Sequence, residues 1–351
     1  MVFDYIFLTH LPAFYKDNLY REIGKKCNVL VIFLGKSSSI RNNDFYEINQ
    51  SNYKSIFLSS KNFESRNKIF TTIKLFFLLI STNFKKIVVS GWEHPEFWLT
   101  VLFNKKNKNC FVLESSIYES SVRTLKRFFK KIFISRISIA FVSGSPHEKL
   151  LKKLDFGGKA VKTLGVGILN KCIPDMSILK HTNKVKNFLY VGRLSKEKNI
   201  ELLLKAFKLK PELNLKIIGD GPLKDKLFKL KSSNVNFLGY LSNADIGKHF
   251  VDSDVFILPS NMEPWGLVIE EAIYFNTPII CSDKVGSAFD LVNKLSTDLD
   301  LNTIPVLGLL TKSIDNILII NNYNTFSQNV FDYDIDKKDQ NQILCYTKQI
   351  L

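Results

Sequence analysis

Val255-Phe256-Ile257-Leu258-Pro259-Ser260-Asn261-Met262-Glu263-Pro264-Trp265-Gly266-Leu267-Val268-Ile269-Glu270-Glu271-Ala272 is the stretch on which the fold turns. Four apolar residues read as a short buried strand that Pro259 ends. A loop then carries Glu263, and Gly266 opens a helix. A strand that runs through a short loop into a helix is part of a βαβ unit. The unpaired amides of the first turn, around Gly266, Leu267 and Val268, form an anion site suited to a diphosphate, and Gly266 lets the backbone approach closely. Glu271 lies a turn and a half into the helix. Carboxylates do not bind phosphate but accept hydrogen bonds from sugar hydroxyls. Glu263 before the anion site and Glu271 after it therefore suit a diphosphate with a sugar at either end. Taken singly, Glu263 as a helix cap and Glu271 as a solvated helix residue account for both; the neighbouring motifs decide.

Tyr190-Val191-Gly192-Arg193-Leu194-Ser195-Lys196-Glu197-Lys198-Asn199 repeats the pattern of a strand ending in a polar loop. Arg193 offers a bidentate fork to phosphate oxygens and Lys198 a point charge, and both stabilise charge on a departing diphosphate. In Ile218-Gly219-Asp220-Gly221-Pro222 a third strand meets a glycine turn, by itself a structural feature. Gly239-Tyr240-Leu241 follows a fourth strand, where the Leu241 backbone suits a nucleobase.

Outward from these motifs the rhythm is the same throughout. Short apolar runs at 3–9, 29–34, 87–90, 111–114, 139–142 and 161–163 alternate with helical patterns at 65–81, 95–104, 121–135 and 146–154. Runs at 188–191, 215–218, 235–238, 255–258 and 278–281 alternate with helices at 200–209, 223–230, 245–251 and 267–275. Apolar strands separated by helices predict parallel sheets covered on both faces. The fold class is α/β: two doubly wound Rossmann-like domains, at 1–165 and 187–330, facing across a cleft. A linker at 166–186 joins them, and a polar-rich helix at 331–351 crosses back. A chain of 351 residues is long enough for two such cores.

Composition excludes other classes. With 45% hydrophobic and 23% charged residues the chain is globular, neither fibrous nor disordered. Purely apolar runs such as 75–80 are far short of the about 20 residues of a membrane span. Five scattered cysteines without a CxxC pair predict a reduced, cytosolic chain with no disulfide framework or zinc site. The N-terminal residues lack the basic leader of a secretory signal.

Gly192-Arg193 with Lys198, and Glu263 and Glu271 separated by seven residues that include Gly266, resemble the retaining glycosyltransferases of the GT-B fold, specifically the family 4 type (glycosyl transferases group 1). The resemblance is clearest over 187–292. It implies that Arg193 and Lys198 hold the donor diphosphate, Glu263 the transferred sugar and Glu271 the nucleotide ribose. It implies transfer with retention, with the leaving phosphate as base, and neither metal nor cofactor. The acceptor is then a glycan, lipid-linked, in bacterial surface polysaccharide, lipopolysaccharide or glycoprotein synthesis. A sugar-nucleotide epimerase or phosphorylase of the same fold is disfavoured by the paired glutamates and the chain length.

The first half is expected to hold the acceptor. Members of the family often carry a glycine pair after the first strand; here Thr9-His10-Leu11-Pro12 has none, which assigns His10 to the acceptor pocket. Ser90-Gly91-Trp92-Glu93-His94-Pro95 stands where the family places a sugar-contacting His, so Glu93 and His94 join the site; a helix cap with a packed ring is the alternative. Glu114 also ends a strand and suits an acceptor hydroxyl, or a capping role. Asp252-Ser253-Asp254 mimics a metal-binding motif but lies at the start of a strand and reads as a helix end and turn.

The net charge of +16 is unevenly spread. Residues 1–170 hold 27 basic and 12 acidic side chains; the remainder holds 22 and 21. The excess concentrates in 123–136, where Arg123, Lys126, Arg127, Lys130, Lys131 and Arg136 alternate with apolar residues at helical spacing. Such a helix reads as a contact for anionic lipid at the inner face of the cytoplasmic membrane, or as a packed helix with a solvated basic face. Nucleic acid is the competing partner for a basic chain, but the aromatics sit in strands and apolar helix faces instead of exposed platforms.

Overall fold

The near-continuous apolar strands leave no solvent face, so the sheets must be covered on both sides, and this dictates the architecture of the computed structural model. It describes residues 2–39, 45–46, 52–120, 124–171, 184–292, 303–304 and 320–350. Arg123, Cys172 and the middle of the expected linker lie outside the described residues. The chain divides into two compact units, 1–170 with 337–351 and 171–336.

In unit 1 the strands are β1 (Val2–Thr9), β2 (Val29–Phe33), β3 (Lys54–Phe57), β4 (Asn83–Val89), β5 (Asn109–Leu113), β6 (Ile139–Val142) and β7 (Lys159–Lys162). They form one sheet in the order β3-β2-β1-β4-β5-β6-β7, with every pair parallel. On one face pack α2 (Lys68–Ser81), α3 (Pro95–Phe103), α4 (Thr124–Ser135) and α5 (Ser145–Lys153), through Leu75, Leu79, Phe97, Val101, Phe133 and Leu150. On the other lie α1 (Phe14–Gly24) and the last helix of the chain.

That last helix, labelled α11 below (Ile335–Thr347), belongs to unit 1 from Lys337 onward. Tyr346 stacks on Phe141 with ring centroids 4.2 Å apart, and Tyr5 Oη donates to the Tyr346 carbonyl at 2.7 Å. Burying Ile343 and Tyr346 stabilises the unit by about 2 kcal/mol each. Residues 168–170 also pack here: the Ile168 amide donates to the Tyr15 carbonyl, 2.8 Å.

Unit 2 holds β8 (Asn187–Val191), β9 (Asn214–Ile218), β10 (Val235–Gly239), β11 (Val255–Leu258), β12 (Ile279–Ser282) and β13 (Thr303–Ile304). Their order is β10-β9-β8-β11-β12-β13, again all parallel. The helices are α6 (Ile200–Lys208), α7 (Lys224–Leu230), α8 (Asn243–Val251), α9 (Leu267–Tyr274) and α10 (Ile320–Phe331). The expected strands and helices are all present within a few residues, while α1, β3, β13 and α10 escape the sequence pattern. In α1 the buried residues include Lys16, Asp17 and Asn18, which blurs its periodicity, and β3 is a four-residue edge strand with no buried position.

The strand order reverses between β1 and β4 in the first sheet and between β8 and β11 in the second. Loops leaving the carboxyl ends of such neighbours diverge to opposite faces and open a crevice.

Candidate active site

In unit 2 the switch point collects the predicted donor residues. Arg193 and Lys198 follow β8; Glu263 follows β11. Lys198 Nζ and a Glu263 carboxylate oxygen form an ion pair, the side chains 18% and 12% exposed. Glu263 thus faces the cation and does not cap α9: the cap position is Gly266, at φ 86°, and no side chain caps the helix. Gly266 is required there, because an L side chain at that φ is strained, and an added Cβ would meet Val285 Cγ1 at 3.1 Å and Glu263 Cγ at 3.2 Å. The Glu263 loop is tied to β12's exit: the Glu263 amide donates to the Lys284 carbonyl at 3.1 Å, and the Gly286 amide donates to the Glu263 carbonyl at 2.9 Å. Asn199 Nδ2 donates to the Pro259 carbonyl, 3.2 Å, linking the two loops.

Arg193 is exposed. Its carbonyl accepts from Tyr190 Oη at 3.2 Å, and burial together with the carboxylates of Glu263 and Glu197 pushes the Tyr190 phenol up. Sequence reasoning missed Tyr190; its place three residues before Arg193, inside an apolar strand, marked it only as core. Gly192, Gly219 and Gly239 come together: the Gly192 amide donates to the Ile218 carbonyl, 3.0 Å, and the Gly219 amide to the Gly239 carbonyl, 2.7 Å. Leu241 is partly exposed just beyond. Leu267 and Val268 form the first turn of α9, both partly exposed.

Glu271 lies on α9 beside Glu270. Glu270 is fully buried and accepts from Trp265 Nε1 at 2.6 Å, a partnership the sequence reading did not include. Burial and the Glu270 carboxylate push Glu271 up to about 7. Asp254, expected to be structural, accepts from the amides of Lys186 and Asn187, both at 2.8 Å.

In unit 1 the loops after β1 and β4 bring His10, Glu93 and His94 together. His10 Nε2 lies 2.6 Å from Glu93 Oε1, and the two imidazoles meet edge to face with centroids 5.4 Å apart. Burial alone would raise the Glu93 carboxyl, but the hydrogen bond and charge of His10, with the Trp92 amide at 2.8 Å, hold it down to about 2. Burial pushes the His94 imidazole down to about 4 against the pull of Glu93. His94 occupies the cap position of α3 without a side-chain cap bond and packs against Phe63 and Phe97. Beneath it, Arg66 and Glu96 form a buried ion pair at 3.1 Å, with Arg66 over the Phe63 ring at 4.1 Å. One ligand atom from each of His10, Glu93 and His94 lies within 4.8 Å of the others, a set able to hold a metal ion. Glu114 is ion-paired at 2.6 Å with Lys16, a buried lysine of α1 that no sequence pattern singled out.

Residues 175–299 match the family model of glycosyl transferases group 1. The alpha-monoglucosyldiacylglycerol synthase of Acholeplasma laidlawii is 40% identical over 111 residues, 29% of this chain and 28% of that protein. An uncharacterized glycosyltransferase of Haemophilus influenzae is 28% identical over 219 residues, 59% of this chain and 54% of its own length. The chain thus spans only a part of the curated relatives it matches. Among solved structures, sucrose-phosphate synthase from Thermosynechococcus elongatus superposes with a TM-score of 0.73 at 16% identity, covering 98% of both chains. The protein has the GT-B fold, and its residues 175–299 are similar to the group 1 glycosyltransferases.

Proposed function

We propose that the protein transfers a sugar, with retention of anomeric configuration and without a metal, from a nucleoside diphosphate sugar to a lipid-linked glycan acceptor. The observation that carries this reading is the Lys198–Glu263 pair at the β8/β11 switch point, beside an uncapped helix start and an exposed Arg193. In the reaction Lys198, Arg193 and the Leu267 and Val268 amides take the diphosphate, and each well-placed donor lowers the barrier by roughly 2.7–4 kcal/mol as charge develops on the leaving group. Glu263 accepts from hydroxyls of the transferred sugar and Glu271 from the ribose. The departing phosphate oxygen receives the acceptor proton as the new glycosidic bond forms on the same face. Gly192, Gly219 and Leu241 line the nucleotide with backbone.

Unit 1 serves the acceptor: His94 contacts the sugar, and His10 and Glu93 orient the hydroxyl. Glu114, neutralised by Lys16, shapes that pocket. The relative from Acholeplasma, named for synthesis on a diacylglycerol, supports a lipid-borne acceptor. Assembly of a bacterial surface polysaccharide, lipopolysaccharide or glycoprotein at the inner face of the cytoplasmic membrane fits that acceptor, with α4 as the contact. No helix among the described residues is long and apolar enough to cross a membrane.

A thermal-shift panel of UDP, GDP, TDP and their sugars tests the donor site. One nucleotide raises Tm, with or without chelator, and Glu263→Ala and Arg193→Ala abolish transfer while folding normally. Near-normal turnover in either variant overturns the assignment, and a shift that chelator removes overturns metal independence.

A further inference from the structure

Helix α2 reads Lys68-Ile69-Phe70-Thr71-Thr72-Ile73-Lys74-Leu75-Phe76-Phe77-Leu78-Leu79-Ile80-Ser81. Against the sheet it buries only Thr71, Leu75 and Leu79. Ile69, Phe70, Ile73, Phe77 and Ile80 lie along its outer side, between 51% and 75% exposed. A surface helix of a water-borne protein carries polar residues at such positions. The stripe does not stand alone: the Phe76 ring packs on Phe103 at 5.0 Å, and Trp98 of α3 meets Phe129 of α4 at 6.5 Å. Leu102 and Phe103 at the end of α3, and Leu125, Phe128 and Phe129 on α4, are exposed as well. Lys68, Lys74, Lys105, Lys106 and Lys126 stand exposed among these residues. No Asp or Glu occurs in 65–92, 97–113 or 120–147.

We propose that α2, the end of α3 and α4 form one surface that seats the protein on an anionic phospholipid bilayer, with the apolar stripe of α2 entering the headgroup layer. This rests on the membrane reading of α4 above and extends it to a helix with a larger apolar stripe. Charge selects the occupant. A second copy of the chain, docking the same face on itself, would set lysine against lysine, and Asp155, a carboxylate that meets α4, is already ion-paired with Arg127 and Lys131. An anionic headgroup layer neutralises the lysines while the acyl boundary takes the phenylalanines and isoleucines.

Co-sedimentation of the full chain with vesicles of phosphatidylglycerol and phosphatidylcholine, and with phosphatidylcholine alone, tests the proposal. The unaltered protein binds the anionic vesicles at least tenfold more tightly. Phe70→Ser with Phe77→Ser lowers that binding tenfold or more, as does Ile69→Ser with Ile80→Ser should the first pair misfold. Nucleotide-induced thermal shifts stay unchanged in both. If the α2 variants bind like the unaltered protein while Lys126→Glu does not, the extension to α2 fails and the α4 reading stands. If the unaltered protein ignores anionic vesicles, both fail. A dimer in sedimentation velocity that the α2 variants convert to monomer, without vesicle binding, assigns the face to a second copy and overturns the proposal.

Discussion

Replacing Glu271 by Gln should stabilise unit 2 at alkaline pH and do nothing at acid pH. The Glu271 carboxyl moves from 4.5 up to about 7 on folding, first because α9 buries it and second because the Glu270 carboxylate is adjacent. Folding therefore favours the protonated form. Below pH 4.5 both states hold the proton and the group exacts no penalty. As pH rises through the window from 4.5 to 7 the unfolded chain ionises first, and stability falls until the folded group also titrates. A shift of 2.5 units corresponds to a ceiling of about 3.4 kcal/mol. Glu271 is partly exposed, and solvent screening reduces this to about 2 kcal/mol. For a unit of this size that moves Tm by about 4–8 °C. Thermal unfolding of the protein and of Glu271→Gln at pH 3.5 and pH 8 reads it directly: the two melt together at pH 3.5 and the variant melts later at pH 8. The same variant should show a smaller nucleotide-induced shift if, as proposed above, the carboxylate that costs stability accepts from the ribose. Equal Tm differences at both pH values would refute the reasoning.

Two further outcomes follow from the geometry. Gly219→Ala places a Cβ 2.0 Å from the Gly192 carbonyl oxygen at a φ of 137°, so denaturant unfolding should show a loss of about 3 kcal/mol and weaker nucleotide binding. In unit 1 the His94 imidazole drops from 6.5 to about 4 on folding, so its contribution is present above pH 6.5 and is lost as pH falls through 4, up to about 3 kcal/mol; His94→Gln should flatten that part of the stability profile, and an unchanged profile would remove the assignment.

The parallel strands were legible because each is a β-branched or aromatic run bounded by polar loops, and a strand buried on both faces needs no alternation. The same feature made strand ends visible, and with them Gly192, Arg193, Lys198, Glu263, His10, Glu93 and His94. What escaped had a physical cause in each case. In α1 the buried Lys16 and Asp17 broke the apolar stripe, because their partners come from elsewhere: Glu114 for Lys16 and the Tyr53 hydroxyl for Asp17. Helix α2 showed its composition but not its surroundings, since an apolar stripe reads alike whether protein or solvent covers it.

By itself the sequence determined the local elements and the chemistry available at their ends, because periodicity, turn residues and charge act over a few residues. The tertiary structure alone decided which ends meet. Lys198 and Glu263 are 65 positions apart, and only the β8–β11 adjacency in the strand order sets them side by side; β1 and β4 do the same for His10 and Glu93. Glu263 was expected to await a sugar hydroxyl, and in the fold it faces a lysine. The terminal helix, polar in sequence, completes the core of unit 1 through Ile343 and Tyr346. Long-range contacts depend on how strands order themselves in a sheet, and that order is a property of the whole packed unit.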